Sequence, residues 1–176
     1  MRHIYAYRAV YTITTILVLA SLFFAWIRSQ QLVIVAENEV REIEFRNVTT
    51  LADFEWQALG EEGYRTNCAS CHGAEGRGWD AYPPLTGQGF IFAAPGGRSY
   101  LIQVTLYGLA SDRTTAPMPF LYNLSDAEVA AINNYMLTNW GNEERLPDDS
   151  ELYIPSDVAQ ERGKGLSPWD VNERRP

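Results

Sequence analysis

Nineteen consecutive residues, Ala9 to Ile27, carry no charge: AVYTITTILVLASLFFAWI. At 1.5 Å rise per residue a helix over them reaches about 29 Å, against a hydrocarbon core of ~30 Å. The run predicts one transmembrane helix. Tyr5, Tyr7 and Tyr11 at its start and Trp26 at its end set amphipathic rings at the two headgroup levels. Arg2, Arg8 and the amino terminus precede the run and only Arg28 closely follows it, so the positive-inside rule puts residues 1–28 with their N-terminus in the cytoplasm and the remainder outside. A cleaved signal peptide competes with this reading. Its apolar core would be about 7 to 15 residues, shorter than this run, and Ile34-Val35-Ala36 makes a poor small-x-small cleavage site. Thr14, Val18, Ser21 and Ala25 form a narrow, mostly small stripe, which either lets another helix approach closely or is simply tolerated in a lone anchor.

Formal net charge is -8, and the distribution is uneven. Arg2, Arg8 and Arg28 are the only charged side chains up to residue 28, leaving 11 Lys and Arg against all 22 Asp and Glu beyond it. A nucleic-acid binder would show a basic patch instead, so that partner class is excluded. The whole chain is 46% hydrophobic, so a mainly disordered chain is excluded and something in it folds. Two cysteines rule out a disulfide-rich scaffold and any site built from four cysteines of this chain.

Residues 29–50 read as a linker. LVIVA at 32–36 and the alternating REIEFR at 41–46, with Ile43 and Phe45 opposite Glu42 and Glu44, fit a continued helix or a short strand. Leu32 to Val35 would form an apolar patch just above the membrane, which calls for a neighbouring subunit. A helix over 52–66 has Asp53 as N-cap and Ala52, Trp56, Leu59, Gly63 and Tyr64 on one face. Residues 73–97, rich in Gly and Pro, read as a long loop that needs something to pack on, and Arg98–Leu109 as a helix. Ser125-Asp126-Ala127-Glu128 is a capping box opening an amphipathic helix with Val129, Ile132, Tyr135 and Met136 inward, ended near Gly141. Residues 142–176 hold four prolines and little periodicity, the composition of an extended acidic tail that is flexible alone. Leu152, Tyr153, Ile154 and Trp169 are apolar anchors along it, as in a strap laid over a partner subunit.

The chemistry centres on Cys68-Ala69-Ser70-Cys71-His72, the C-x-x-C-H pattern of c-type haem attachment. Two thiols three residues apart on a tight turn can add to the two vinyl groups of one porphyrin edge, and the adjacent imidazole then faces the iron. Zinc would need two more ligands, yet no further Cys remains and His3 lies across the membrane. A redox dithiol would want a βαβ context, absent here, while a bare disulfide is the remaining use of the pair. Met118 is the sixth-ligand candidate by elimination: Met1 is cytoplasmic and Met136 sits on a buried helix face. Its neighbours Pro117 and Pro119 stiffen the loop, and His/Met ligation raises the potential. The plainer role for Met118 is filling a core gap. Arg98, Trp79, Tyr100 and Tyr107 are candidates to hydrogen-bond the anionic haem propionates, or are a surface Arg and core aromatics.

With these motifs in hand, residues 51–141 resemble class I cytochrome c. Gly60 and Tyr64, eight and four residues before Cys68, match the Gly and aromatic where that family's first helix crosses its last, and Tyr135 matches the aromatic from the last helix. YPPLTG at 82–87 is similar to the family's proline loop. The resemblance implies that the carbonyl of Pro83 or Pro84 accepts the proton of the His72 ring and that Leu85 packs on the haem. PMPF followed by LSDAEVAAINNYM resembles the distal-ligand loop and closing helix of bacterial membrane-bound cytochromes, with Met118 as ligand.

The expected architecture is an all-α class I cytochrome c domain with one covalent haem c, a single N-terminal transmembrane helix and an extended C-terminal tail. The expected function is single-electron transfer, not catalysis by the chain itself. The anchored monohaem arrangement resembles the monohaem subunit of bacterial alternative complex III, implying a membrane respiratory or photosynthetic complex that oxidises quinol and passes electrons toward a periplasmic acceptor. Its partners would be other subunits, held through anchor, linker and tail, and redox donor and acceptor proteins. A terminal oxidase or dehydrogenase subunit and a free-standing anchored carrier are the alternatives of the same class. A haem enzyme or gas sensor with a labile Met118 is the alternative of another class.

Overall fold

The computed structural model describes residues 2–46, 48–87, 89–111 and 115–176, which divide into two compact units, Met1–Ile43 and Glu44–Pro176. The first unit is helical throughout, part of α1 (Arg2–Arg46), so the apolar run continues as helix and the 41–46 segment does not form a strand. Thr12–Glu37 is long and apolar enough to span a membrane. Its Leu, Ile, Val, Phe and Trp side chains face outward, as with Leu17 at 63% and Phe24 at 67% exposure, which suits a lipid environment. The side chains of Arg2, Tyr5, Tyr7, Arg8 and Tyr11, and of Glu42, Ile43 and Glu44, lie outside the described ones, as does Met1.

The second unit is all-α among the described residues, with only two isolated bridge pairs. Its helices are α2 (Trp56–Asn67), α3 (Ala69–His72), α4 (Gly89–Ala93), α5 (Gly97–Tyr107), α6 (Asp126–Leu137), α7 (Pro155–Arg162) and α8 (Pro168–Glu173). Helix α2 begins at Trp56, two residues later than the Asp53 cap implies. Leu51–Asp53 instead forms a 3-10 turn in which Thr50 Oγ1 donates to the Asp53 carboxylate at 2.6 Å, so that carboxylate is already engaged locally. Within the long Gly/Pro loop, Gly89–Ala93 makes the extra helix α4.

Helix α6 is the hub. Its capping box closes as the sequence indicates: Glu128 N donates to Ser125 Oγ at 3.2 Å, and Ser125 N to the Glu128 carboxylate at 2.8 Å. It crosses α2 at Gly60, where a Cβ would lie 2.3 Å from Ala131 O; only a residue without a side chain permits this approach. The Tyr64 and Tyr135 rings meet beside the crossing at 5.5 Å, and Trp140 closes the cluster 4.9 Å from Tyr64.

The remaining faces of α5 and α6 are covered by the chain's own C-terminal residues. Tyr153, Val158 and Val171 are completely buried in the core of this unit, Leu152 and Ile154 are half-buried, and only Trp169 of the four expected anchors points out, 66% exposed. Polar contacts fix the register. The Asn134 side chain donates to Tyr153 O at 2.8 Å and accepts from Tyr153 N at 2.7 Å. Arg162 binds the Asp126 carboxylate at 2.7 Å and the carbonyls of Tyr122 and Leu124. The tail is thus two short helices on a strap laid over its own domain. The expectation that it waits for a partner subunit is corrected: its anchors fill an intramolecular groove that α5 and α6 leave open.

Candidate functional site

The CASCH turn follows α2 with almost no break. Cys68 caps α2, Cys71 N and His72 N both donate to Cys68 O at 3.1 and 2.9 Å, and α3 ends at His72. The turn keeps both sulfurs and the imidazole on one short stretch. Both cysteines are free thiols. Cys68 is buried, and its thiol is pushed up to about 12, first by burial and then by neighbouring Cys71. Tyr64 braces the turn: its hydroxyl donates to Gly73 O at 2.7 Å, and burial, with Cys68 and Tyr135 nearby, pushes its own ionisation up to about 12.

His72 Nδ1 lies 2.9 Å from Pro83 O. A carbonyl can only accept, so Nδ1 carries the proton and Nε2 keeps its lone pair, the tautomer a metal requires. Of the two prolines it is Pro83 that makes this contact. The proline loop is itself tied down, with Leu85 N donating to Gly76 O at 2.7 Å and Asn142 Nδ2 to Leu85 O at 2.9 Å.

A cavity of about 360 Å³ opens beside this turn, within the range of cofactor clefts. Cys71, His72, Pro83, Pro84 and Leu85 line it from one loop and Pro117, Met118 and Pro119 from another, with Leu101 and Val104 of α5 supplying apolar wall. Met118 is held by paired hydrogen bonds to Leu109, Leu109 N to Met118 O at 3.1 Å and Met118 N to Leu109 O at 3.0 Å. Gly108, at φ +74°, makes room for this pairing, since a Cβ there would sit 2.4 Å from Met118 O. The donor set fits an iron porphyrin: the Cys71 thiol, an imidazole with an available Nε2 and the Met118 thioether line an apolar cavity, and the second free thiol, Cys68, lies buried one helical turn before His72 and outside the cavity lining.

The propionate candidates divide. Tyr100 is buried and lines the cavity, and burial raises its hydroxyl ionisation while Arg175 opposes that rise. Arg98 does not line it. Its guanidinium pairs with Asp157 at 3.1 Å, donates to Glu151 O and lies 4.6 Å over the Tyr153 ring, so it clamps the strap. Tyr107 has the same task, its hydroxyl donating to the backbone of α7 at Glu161 O, 2.9 Å away. Trp79 is 57% exposed and leans on Tyr82 at 5.2 Å; Tyr82, rather than Trp79, forms cavity wall.

In their place the strap delivers two residues that sequence reasoning missed, Asn172 and Arg175, both lining the cavity. A signal was present for the first: Ser167-Pro168-Trp169-Asp170 is a helix start with Pro at the first position, and the helix it opens carries Asn172, while Arg175 lies just past its end.

Comparison with known proteins agrees with this geometry. The family model described as Cytochrome c matches residues 57–140, from α2 through Trp140. The chain is 35% identical over 127 residues to cytochrome c-552 of Thermus thermophilus, covering 68% of this chain and 95% of that protein. A second cytochrome c-552 of Thermus thermophilus shows 35% identity over 127 residues, 68% of this chain and 84% of its own length. The cytochrome c subunit of the quinone alcohol dehydrogenase of Gluconobacter oxydans strain 621H is 36% identical over 89 residues, 47% of this chain but 18% of that protein. A likeness running almost the full length of cytochrome c-552, on a helical domain built around a CASCH turn, places the chain in the cytochrome c family, whose members carry covalently attached haem c.

Proposed function

We propose that the chain is a membrane-anchored single-electron carrier in a quinol-oxidising complex of the alternative complex III kind, with His72 and Met118 as the axial pair. The observation that carries the electron-transfer reading is that His72 and Met118 line one cavity, each held by hydrogen bonds of its own loop. Haem supplies the one-electron chemistry, and the chain's residues bind, orient and shield it. Pro83 sets the His72 tautomer, and Leu85, Leu101 and Val104 exclude water. Arg175, with Tyr100, offers charged and neutral donors to an anionic propionate edge. The likeness to carrier cytochromes c-552 favours a carrier over a haem enzyme.

The apolar, outward-facing helix at Thr12–Glu37 supports a retained anchor, and the arginines before the run support a cytoplasmic N-terminus with the haem domain on the periplasmic side. A dehydrogenase subunit is the second reading, favoured by the Gluconobacter match. Purification of the chain from native membranes in mild detergent decides between them. Quinol-reducible haem co-purifying with integral-membrane subunits is the expected result, whereas a flavin or quinone dehydrogenase as the main companion selects the second reading. Recovery of the chain alone, still reducible, would identify a free-standing carrier. In a redox titration of the isolated chain we expect one n = 1 wave, lowered in potential by Met118→Ala because a thioether favours the ferrous state.

A further inference from the structure

The last helix of the chain reaches the loop that carries Met118. Asn172 of α8 grips Ala110 through both ends of its amide: Nδ2 donates to Ala110 O at 3.1 Å and Oδ1 accepts from Ala110 N at 3.1 Å. Ala110 is next in the chain to Leu109, and Leu109 is the residue whose N–H and carbonyl both bond to Met118. Three segments are therefore stitched side by side, α8 to residues 109–110 and these to 118, with the cavity on one side of the seam. Leu109, Ala110, Met118 and Asn172 all line it. The anchor of the seam is firm at its outer end. Val171, beside Asn172, is fully buried, and α8 is capped by Ser167, whose N–H donates to Asp170 at 2.8 Å. At its inner end Gly108 admits Met118 O closely, since a Cβ there would lie 2.4 Å from it.

We propose that Asn172 is a positioning residue for Met118: by fixing Ala110 it holds the Leu109–Met118 pair in register, so the C-terminal strap governs how firmly the thioether stays at the iron. The inference rests on Met118 being the sixth ligand. A side-chain amide paired with both the N–H and the carbonyl of one residue fixes both distance and orientation, which a single contact would not. Without it, the Leu109–Met118 pair loses its tie to α8 while Ala116 N still donates to Ala81 O at 3.0 Å, and excursions that lift Met118 become more frequent. Each hydrogen bond is modest in net effect, but two lost together change an opening equilibrium by about ten- to a hundredfold.

The test uses the full-length holoprotein in detergent. Exogenous imidazole displaces a thioether ligand at a rate set by how often the ligand lifts, and the far-red sulfur-to-iron band reports the bond directly. Asn172→Ala should retain covalent haem and the wild-type helical signal, yet exchange Met118 for imidazole about tenfold faster or more and lose the far-red band well below the temperature at which helix melts. Asn172→Ser, which keeps one short polar group, should fall between, and serves in place of the alanine variant should that one not fold. Val158→Ala, in α7 and away from Ala110, should lower the melting temperature without accelerating exchange at 25 °C. Unchanged exchange in both Asn172 variants, or equal acceleration by Val158→Ala, overturns the proposal. A wild-type protein with no far-red band, or with the same band in Met118→Ala, instead overturns the ligand assignment itself.

Discussion

Deleting residues 146–176 should unfold the haem domain rather than trim it. Tyr153, Val158 and Val171 are at 0% exposure in the core, and each such side chain stabilises by about 1.5–3 kcal/mol when buried. Three of them together contribute about 5–9 kcal/mol, an upper range because unfolded chains are already partly compact. A domain's whole stability is about 5–15 kcal/mol. The deletion also strips partners from buried groups, since the Asn134 side chain loses both bonds to Tyr153 and Gln103 loses the Glu161 carboxylate at 2.6 Å. An orphaned buried polar group costs about 1–3 kcal/mol more. Expression of the truncated chain with haem-attachment machinery should therefore give little folded holoprotein, read by haem yield and by thermal melting. A truncated domain that melts within a few degrees of the full chain would show that the strap is dispensable. Were the tail reserved for a partner subunit, that neutral result would be the expected one.

The strap is also where the sequence was hardest to read. Its composition, with four prolines and charges throughout, is that of a flexible tail, and nothing local says which surface its anchors meet. The groove is made by α5 and α6 and exists only once these have packed. Arg98 shows the consequence. On α5 it is a reasonable propionate partner by sequence position, but the strap supplies Asp157, Glu151 O and the Tyr153 ring within reach, and the guanidinium goes there. The cavity then takes its guanidinium from Arg175, 77 positions later. Trp79 misled for a related reason, because a paired backbone turn with Tyr82 puts one aromatic at the cavity and its neighbour outside.

What was legible was local chemistry with fixed spacing. The CASCH turn, the Ser125–Glu128 box and the 19 uncharged residues each specify their geometry within a few residues, and each forms the element it implies. Gly60, Tyr64 and Tyr135 were readable at longer range because helix spacing puts them on facing stripes, and the close α2–α6 crossing requires the missing side chain. The choice between Pro83 and Pro84 was not readable. It depends on which carbonyl the turn at Gly78 directs toward His72, a property of backbone path rather than residue type.

The second large effect is expected from Cys68→Ala combined with Cys71→Ala. The wild-type chain should hold one haem through acidic organic extraction, and the double variant should hold none. The loss reaches beyond the cofactor. Without the macrocycle the apolar wall made by Leu85, Leu101, Val104 and Met118 faces water instead of a buried partner. The helical domain should therefore fail to form without its haem, and circular dichroism of the double variant should show a loss of helix well beyond the four residues of α3. Each single variant should keep one thioether, because the imidazole and the remaining thiol still present themselves on the same turn. Haem released from the wild type by extraction, or a double variant that melts as cooperatively as the holoprotein, would contradict the claim that covalent haem completes this core.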